Sequence, residues 1–178
     1  MRVFIAVPVP VEIRQKAALL GKELAGDGIL PVAAGNMHLT LKFIGEVDER
    51  GLEEIKKRLE AVRFRKFHCE IKGVGVFPKE DFVRVVWAGA QSRHALEALA
   101  KDVIGALKGF GKDENFTAHL TIARVKRKVD FHAFLKTHEM ESLGSFEVAE
   151  FHFIQSVLGG GGPEYSLIAS YRAEDSDA

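Results

Sequence analysis

Apolar residues recur along the chain in two rhythms. Short alternating or unbroken aliphatic runs predict strands over Phe4-Ile5-Ala6-Val7, Val85-Val86-Trp87-Ala88, Phe67 to Phe77, Val148 to Leu158, and Tyr165 to Tyr171. Stripes at helical spacing predict four helices. Pro10 suits the first turn of one carrying Ile13, Ala17, Leu20 and Leu24, and Ser92 caps another carrying Leu96, Leu99, Val103 and Leu107. Asp48 and Asp130 are N-caps for two more, striped by Leu52, Ile55 and Leu59 and by Phe131, Phe134 and Leu135. The turn sequences Phe77-Pro78-Lys79-Glu80-Asp81 and Gly159-Gly160-Gly161-Gly162-Pro163 join neighbouring strands, which implies antiparallel sheets.

This order of elements repeats. The tripeptide His38-Leu39-Thr40 returns as His119-Leu120-Thr121, 81 residues later, and sliding the chain by that offset lays strand on strand and helix on helix. Each half reads strand, helix, motif strand, helix, strand. The expected fold is α+β: one bilobal domain over 1–173, with pseudo-two-fold halves of about 1–81 and 82–173. Two antiparallel sheets flanked by helices would enclose a central groove, and the tail 174–178 is expected to be disordered.

Side chains alternate along a strand, so His38 shares a face with Thr40, and His119 with Thr121. With 7 histidines and 4 threonines in 178 residues, chance supplies about one-sixth of a His-x-Thr match. Two matches identical at all three positions carry far more weight. Two imidazoles and two hydroxyls facing one groove would make an acid–base device for phosphate esters that requires no metal or other cofactor.

Composition narrows the setting. Hydrophobic residues at 47% and charged ones at 28% are ordinary for a globular protein. Zero net charge means that nucleic-acid contact must come from local patches. The single Cys69 excludes an internal disulfide framework and a multi-Cys zinc site. No apolar run approaches the ~20 residues of a membrane span, and Met1 leads straight into a strand without a signal-peptide pattern. A cytoplasmic monomer with no membrane partner is expected.

The motifs resemble those of the two-histidine phosphoesterase superfamily, specifically the RNA 2′,3′-cyclic phosphodiesterases once called 2′-5′ RNA ligases. The likeness spans nearly the whole chain: Arg2 to Val7, Asn36 to Gly45, Phe116 to Arg124, and Gly162 to Tyr165. It implies a bilobal pseudo-symmetric α+β fold and, as partner, RNA with a 2′,3′-cyclic phosphate end or a cyclic nucleotide. It assigns His119 as general base toward water and His38 as general acid toward O3′, with Thr40, Thr121 and Arg124 on the phosphate, yielding a 2′-phosphomonoester. The residues alone do not choose which histidine plays which part. The four glycines at 159 to 162 depart from the family pattern.

Arg124 is out of phase with His119 and Thr121, so it reaches the groove only if the strand ends or bulges after Ala123, or if its side chain curls round the edge. Lys42, in phase with His38 and Thr40, is expected at the groove rim. Together with Lys126 and Arg127 of the basic run Lys126-Arg127-Lys128, it is a candidate RNA contact. Phe43, Phe77, Phe116 and Tyr165 are candidates to stack a base, though strand aromatics more often build core. His68, His94, His132, His138 and His152 lack a following Thr and any metal-ligand spacing, so they read as structural or surface residues. Competing functions are the reverse reaction, 2′-5′ ligation, and a non-catalytic RNA-binding module.

Overall fold

The computed structural model describes residues 1–175. Its elements follow in the order β1 (Arg2–Pro8), α1 (Val11–Leu24), β2 (Ile29–Pro31), a 3-10 turn (Ala34–Asn36), β3 (His38–Glu46), α2 (Glu49–Leu59), β4 (Phe67–Lys79) and β5 (Phe82–Gln91). Then come α3 (Ala95–Ala106), β6 (His119–Val125), α4 (His132–His138), β7 (Ser142–Val148), β8 (Glu150–Gly159) and β9 (Gly162–Arg172). The strands form a four-stranded sheet, β3-β1-β8-β9, and a five-stranded one, β2-β6-β5-β4-β7, with all their pairs antiparallel. This is the expected α+β fold.

Asp48 caps α2, accepting from the Gly51 N–H at 2.8 Å. Ser92 accepts from the Leu96 N–H and Asp130 from the His132 N–H, each at 2.9 Å, but both stand ahead of the helix: the N-cap positions of α3 and α4 are held by His94 and Phe131. Two edge strands, β2 and β7, escape the apolar pattern. The strand expected over Val148–Leu158 is also divided: Val148 closes β7, and β8 opens at Glu150.

The long strands cross between the halves. β4 comes from the first half yet pairs with β5 of the second, while β8 of the second half pairs with β1 of the first. Each sheet is thus built from both halves, and a continuous core joins them. Val3, Ile5 and Val7 of β1, Leu39 and Leu41 of β3, Leu120 and Ile122 of β6, and Phe151 and Phe153 of β8 all belong to it. Each such side chain, fully buried, contributes about 1.5–3 kcal/mol of hydrophobic transfer. Phe4 and Ala6, on the opposite face of β1, form a second small cluster with Ile154, against which Tyr165 packs.

Glu174, expected to begin a disordered tail, is instead held: its N–H donates to the Phe64 carbonyl at 2.8 Å, and its carboxylate lies 3.6 Å from Arg63. The rest of that tail, from residue 176, lies outside the described residues.

Candidate active site

Both motif strands carry the same irregularity. On β3 the register against β1 steps from Thr40 to Lys42, leaving Leu41 as the extra residue; on β6 the register against β5 steps from Thr121 to Ala123, leaving Ile122 extra. The bulges fall 81 residues apart, at equivalent points of the repeat. Each resets the alternation, so the residue two positions past the bulge returns to the face of the histidine. On β6 that residue is Arg124, which lines a cavity with His38, Thr40 and Thr121. The bulge precedes Ala123 rather than following it, and no edge-wrapping side chain is needed.

On β3 the same step exposes Phe43 and turns Lys42 inward. Lys42 lines a small cavity beside His119, but as a buried wall residue and not at the exposed rim expected for it. It is 5% exposed, and its ammonium donates to the Lys112 carbonyl at 3.1 Å rather than facing solvent.

Each imidazole is held from behind in the same way. His38 Nδ1 donates to the Asn36 carbonyl at 3.3 Å, and His119 Nδ1 to the Thr117 carbonyl at 2.7 Å. A carbonyl only accepts, so Nδ1 carries the hydrogen in both rings and Nε2 is left to exchange a proton. Aromatic rings flank them. Tyr165 lies 5.5 Å and Phe4 6.1 Å from His38, while Phe77 lies 5.0 Å from His119, measured between centroids.

Burial pushes both histidines below the ordinary 6.5, against the opposing effect of the backbone hydrogen bond. The positive charges of Arg14 and His152 add to the lowering at His38, and that of Arg124 adds to it at His119.

Two cavities meet at this site. The larger, about 380 Å³, holds His38, Thr40, Thr121 and Arg124, with Phe4, Leu30, Phe43, Pro163 and Tyr165 among its walls. The smaller, about 90 Å³, is bordered by His119, with Phe116 and Thr117 beside it. Thr40 and Phe43 line both. Among the described residues no group of three His, Cys, Asp or Glu side chains is placed to hold a metal ion.

A family model of LigT-like phosphoesterases matches residues 5–87. An RNA 2′,3′-cyclic phosphodiesterase of Archaeoglobus fulgidus is 43% identical over 169 residues, spanning 93% of this chain and 96% of that protein. The chain belongs to the LigT-like phosphoesterase family. Members of that family hydrolyse phosphate esters, so this phosphoesterase is a hydrolase. A Thermus thermophilus protein of known crystal structure superposes on it with a TM-score of 0.80 at 27% identity, over 97% of both chains. Escherichia coli LigT complexed with 3′-AMP gives 0.80 at 26%, over 98% of both chains.

The remaining sequence candidates scatter. Lys126 and Arg127 follow the end of β6 and line neither cavity; Arg127 pairs with Asp27. Phe43 and Tyr165 line the large cavity, Phe116 lines the small one, and Phe77 covers His119. His138 sits between Glu23 and Glu141, and His152 bonds Glu150 at 2.9 Å. Sequence reasoning missed Asn36 and Thr117, whose carbonyls orient the two rings. The signal was available, because these residues are themselves 81 positions apart in the repeat.

Proposed function

We propose that this phosphoesterase opens 2′,3′-cyclic phosphate ends of RNA or nucleotides to a 2′-phosphomonoester, using His119 as base and His38 as acid. The observation that carries the assignment is the inequality of the two cavities. In-line displacement sets the attacking and leaving oxygens on opposite sides of phosphorus. The nucleoside stays on the leaving side, and the cavity of about 380 Å³, within the ~300–1,000 Å³ of ligand sites, belongs to His38. The cavity of about 90 Å³ beside His119 suits water.

The reaction then follows from the residues. Water attacks phosphorus while His119 Nε2 takes its proton; the P–O3′ bond breaks and His38 Nε2 protonates the departing oxygen. Negative charge gathers on the non-bridging oxygens, where the Thr40 and Thr121 hydroxyls and the Arg124 guanidinium donate to it. A relative named RNA 2′,3′-cyclic phosphodiesterase at 43% identity supports the substrate class. Digestion of a 2′,3′-cyclic nucleotide, with the 2′- and 3′-monophosphates separated by chromatography, tests the reading. A predominant 3′-phosphate would reverse the leaving group, and no turnover would leave only an RNA-binding module.

Activity should survive exhaustive EDTA treatment, because histidine, hydroxyl and guanidinium groups carry every step. Loss on chelation, with recovery on adding a divalent metal, would count against the scheme.

The pH profile has a definite sign. The acid must be protonated and the base must not be, and burial lowers both histidines below 6.5. The free enzyme's kcat/KM should therefore peak on the acid side of that value and fall as pH rises through the lowered range, where His38 loses its proton. A peak on the alkaline side would contradict the assignment. Lys126 lies past the end of β6, exposed, and is proposed as a contact for longer RNA, with Arg127 beside it. Replacing Lys126 should weaken binding of an oligonucleotide and flatten its salt dependence while sparing a mononucleotide.

A further inference from the structure

The His38 side of the groove is walled by the hairpin that joins β8 to β9. Gly161, Gly162, Pro163 and Tyr165 line the large cavity, and the Tyr165 ring lies 5.5 Å from that of His38. Glycine at 159 to 162 leaves the tip of this hairpin without side chains to pack, so local contacts hold it lightly. Among the described residues one side chain of another element hydrogen-bonds to residues 159–165: Asn36 Nδ2 donates to the Pro163 carbonyl at 3.0 Å.

Asn36 also holds the acid. Its carbonyl accepts from His38 Nδ1 at 3.3 Å, against 2.7 Å for the matching bond from His119 to Thr117. A bond at the long end of the range fixes a ring only if its acceptor cannot turn. The peptide that carries this carbonyl is weakly tied through its other end, where the Met37 N–H reaches the Ala34 carbonyl at 3.3 Å. Arg14 anchors the far side of the 3-10 turn, donating to the Val9 carbonyl at 2.9 Å and to the Ala34 carbonyl at 3.0 Å. On the cavity side the tie is the Asn36 amide.

We propose that Asn36 is the positioning residue of the leaving-group side: its amide latches the glycine hairpin over the large cavity, its carbonyl aims His38, and a wall that loosens therefore misaims the acid. For the task of that acid, the inference rests on the cyclic-phosphate reading above. O3′ stays attached to the ribose after the P–O3′ bond breaks. The wall that holds the sugar and the ring that protonates its oxygen must therefore keep one geometry, and a displacement of about 1 Å costs on the order of 100-fold.

Asn36→Ala removes the latch and leaves the backbone carbonyl in the chain. On a 2′,3′-cyclic nucleotide it should lower kcat by about 10- to 100-fold and raise KM as the wall loosens. Its pH profile should change on one limb only. Burial pushes His38 below its ordinary value and the Asn36 carbonyl works against that, so a loosened bond lowers His38 further. The alkaline limb of kcat/KM, where His38 loses its proton, should move to lower pH, while the acid limb set by His119 stays. The charged and titratable groups around His38 are untouched by the substitution: Arg14 from α1, His152 from β8 and Tyr165 from β9.

Nitrogen NMR of isotope-labelled histidine reads the ring directly and without substrate. His38, assigned by the signals missing in His38→Ala, should be the Nδ1–H tautomer in the wild type and a mixture in Asn36→Ala, with His119 unchanged. Asn36→Gln, which keeps the donor on a longer arm, should fall between the two. An Asn36→Ala enzyme with wild-type kcat overturns the proposal. So does one that loses rate with both limbs and the His38 tautomer unmoved, since a merely structural role would do that. Should this variant fail to fold, Asn36→Asp, isosteric but without the donor, must raise KM and mix the tautomers in its place. A wild type that leaves the cyclic nucleotide intact would sink the cyclic-phosphate reading, and the tautomer would still decide the latch.

Discussion

Replacing His38 or His119 by alanine should slow turnover of a 2′,3′-cyclic nucleotide by about 100- to 10,000-fold, with the double variant scarcely slower than either single one. Acid and base act on one transition state: a proton not removed from water and a proton not supplied to O3′ block the same displacement. The loss corresponds to about 3–5 kcal/mol of transition-state stabilisation at ~1.4 kcal/mol per tenfold. The fold should persist, because neither ring belongs to the main core; each lies on the groove face among aromatic side chains, as His38 does beside Phe4 and Tyr165. Single-turnover rates with thermal melts of all three variants make the check. If either single variant kept near wild-type rates on a cyclic substrate the wild type cleaves, the two-histidine mechanism would fall.

The repeat made most of this legible in the sequence. It carried the two His-x-Thr strands, four helices with the Asp48 cap of α2, and the long strands, because each of these rests on local periodicity or on a single capping side chain. Three things were not legible. Which sheet β4 and β8 join depends on pairing between residues far apart in the chain: Val3 sits opposite Gln155, and Gly75 opposite Trp87. The short edge strands β2 and β7 owe their existence to their neighbours β6 and β4 rather than to an apolar alternation of their own.

The bulges mattered most. Nothing in His38-Leu39-Thr40-Leu41-Lys42 announces that Leu41 is supernumerary, so strict alternation sent Lys42 to the groove and Arg124 away from it. The extra residue brings Arg124 to the histidine face of β6 and buries Lys42 in the wall beside His119. The repeat breaks its symmetry at these points in a way that suits the chemistry. Past the bulge the second half presents Arg124 to the large cavity, whereas the first half presents Phe43, 60% exposed. At the inward position the second half carries Ala123, fully buried, and the first carries Lys42, which anchors the loop leading to His119.

Arg124→Ala should lower kcat/KM for a mononucleotide by about 100- to 1,000-fold, the scale of removing a principal donor to a developing anion. Arg124→Lys should fall between that variant and the wild type, because an ammonium keeps the charge but loses the planar fork that meets two phosphate oxygens in parallel. A second readout separates grip from field. The positive charge of Arg124 helps to hold His119 below its ordinary value, so removing it should let His119 bind its proton at higher pH. The acid limb of the kcat/KM profile, set by deprotonation of His119, should then move upward in pH in Arg124→Ala, and stay in place in Arg124→Lys. Lost rate with an unmoved limb would mean that the guanidinium serves the phosphate alone. Unchanged kinetics in Arg124→Ala would return the residue to the surface and leave the two threonines as the only donors to the phosphate.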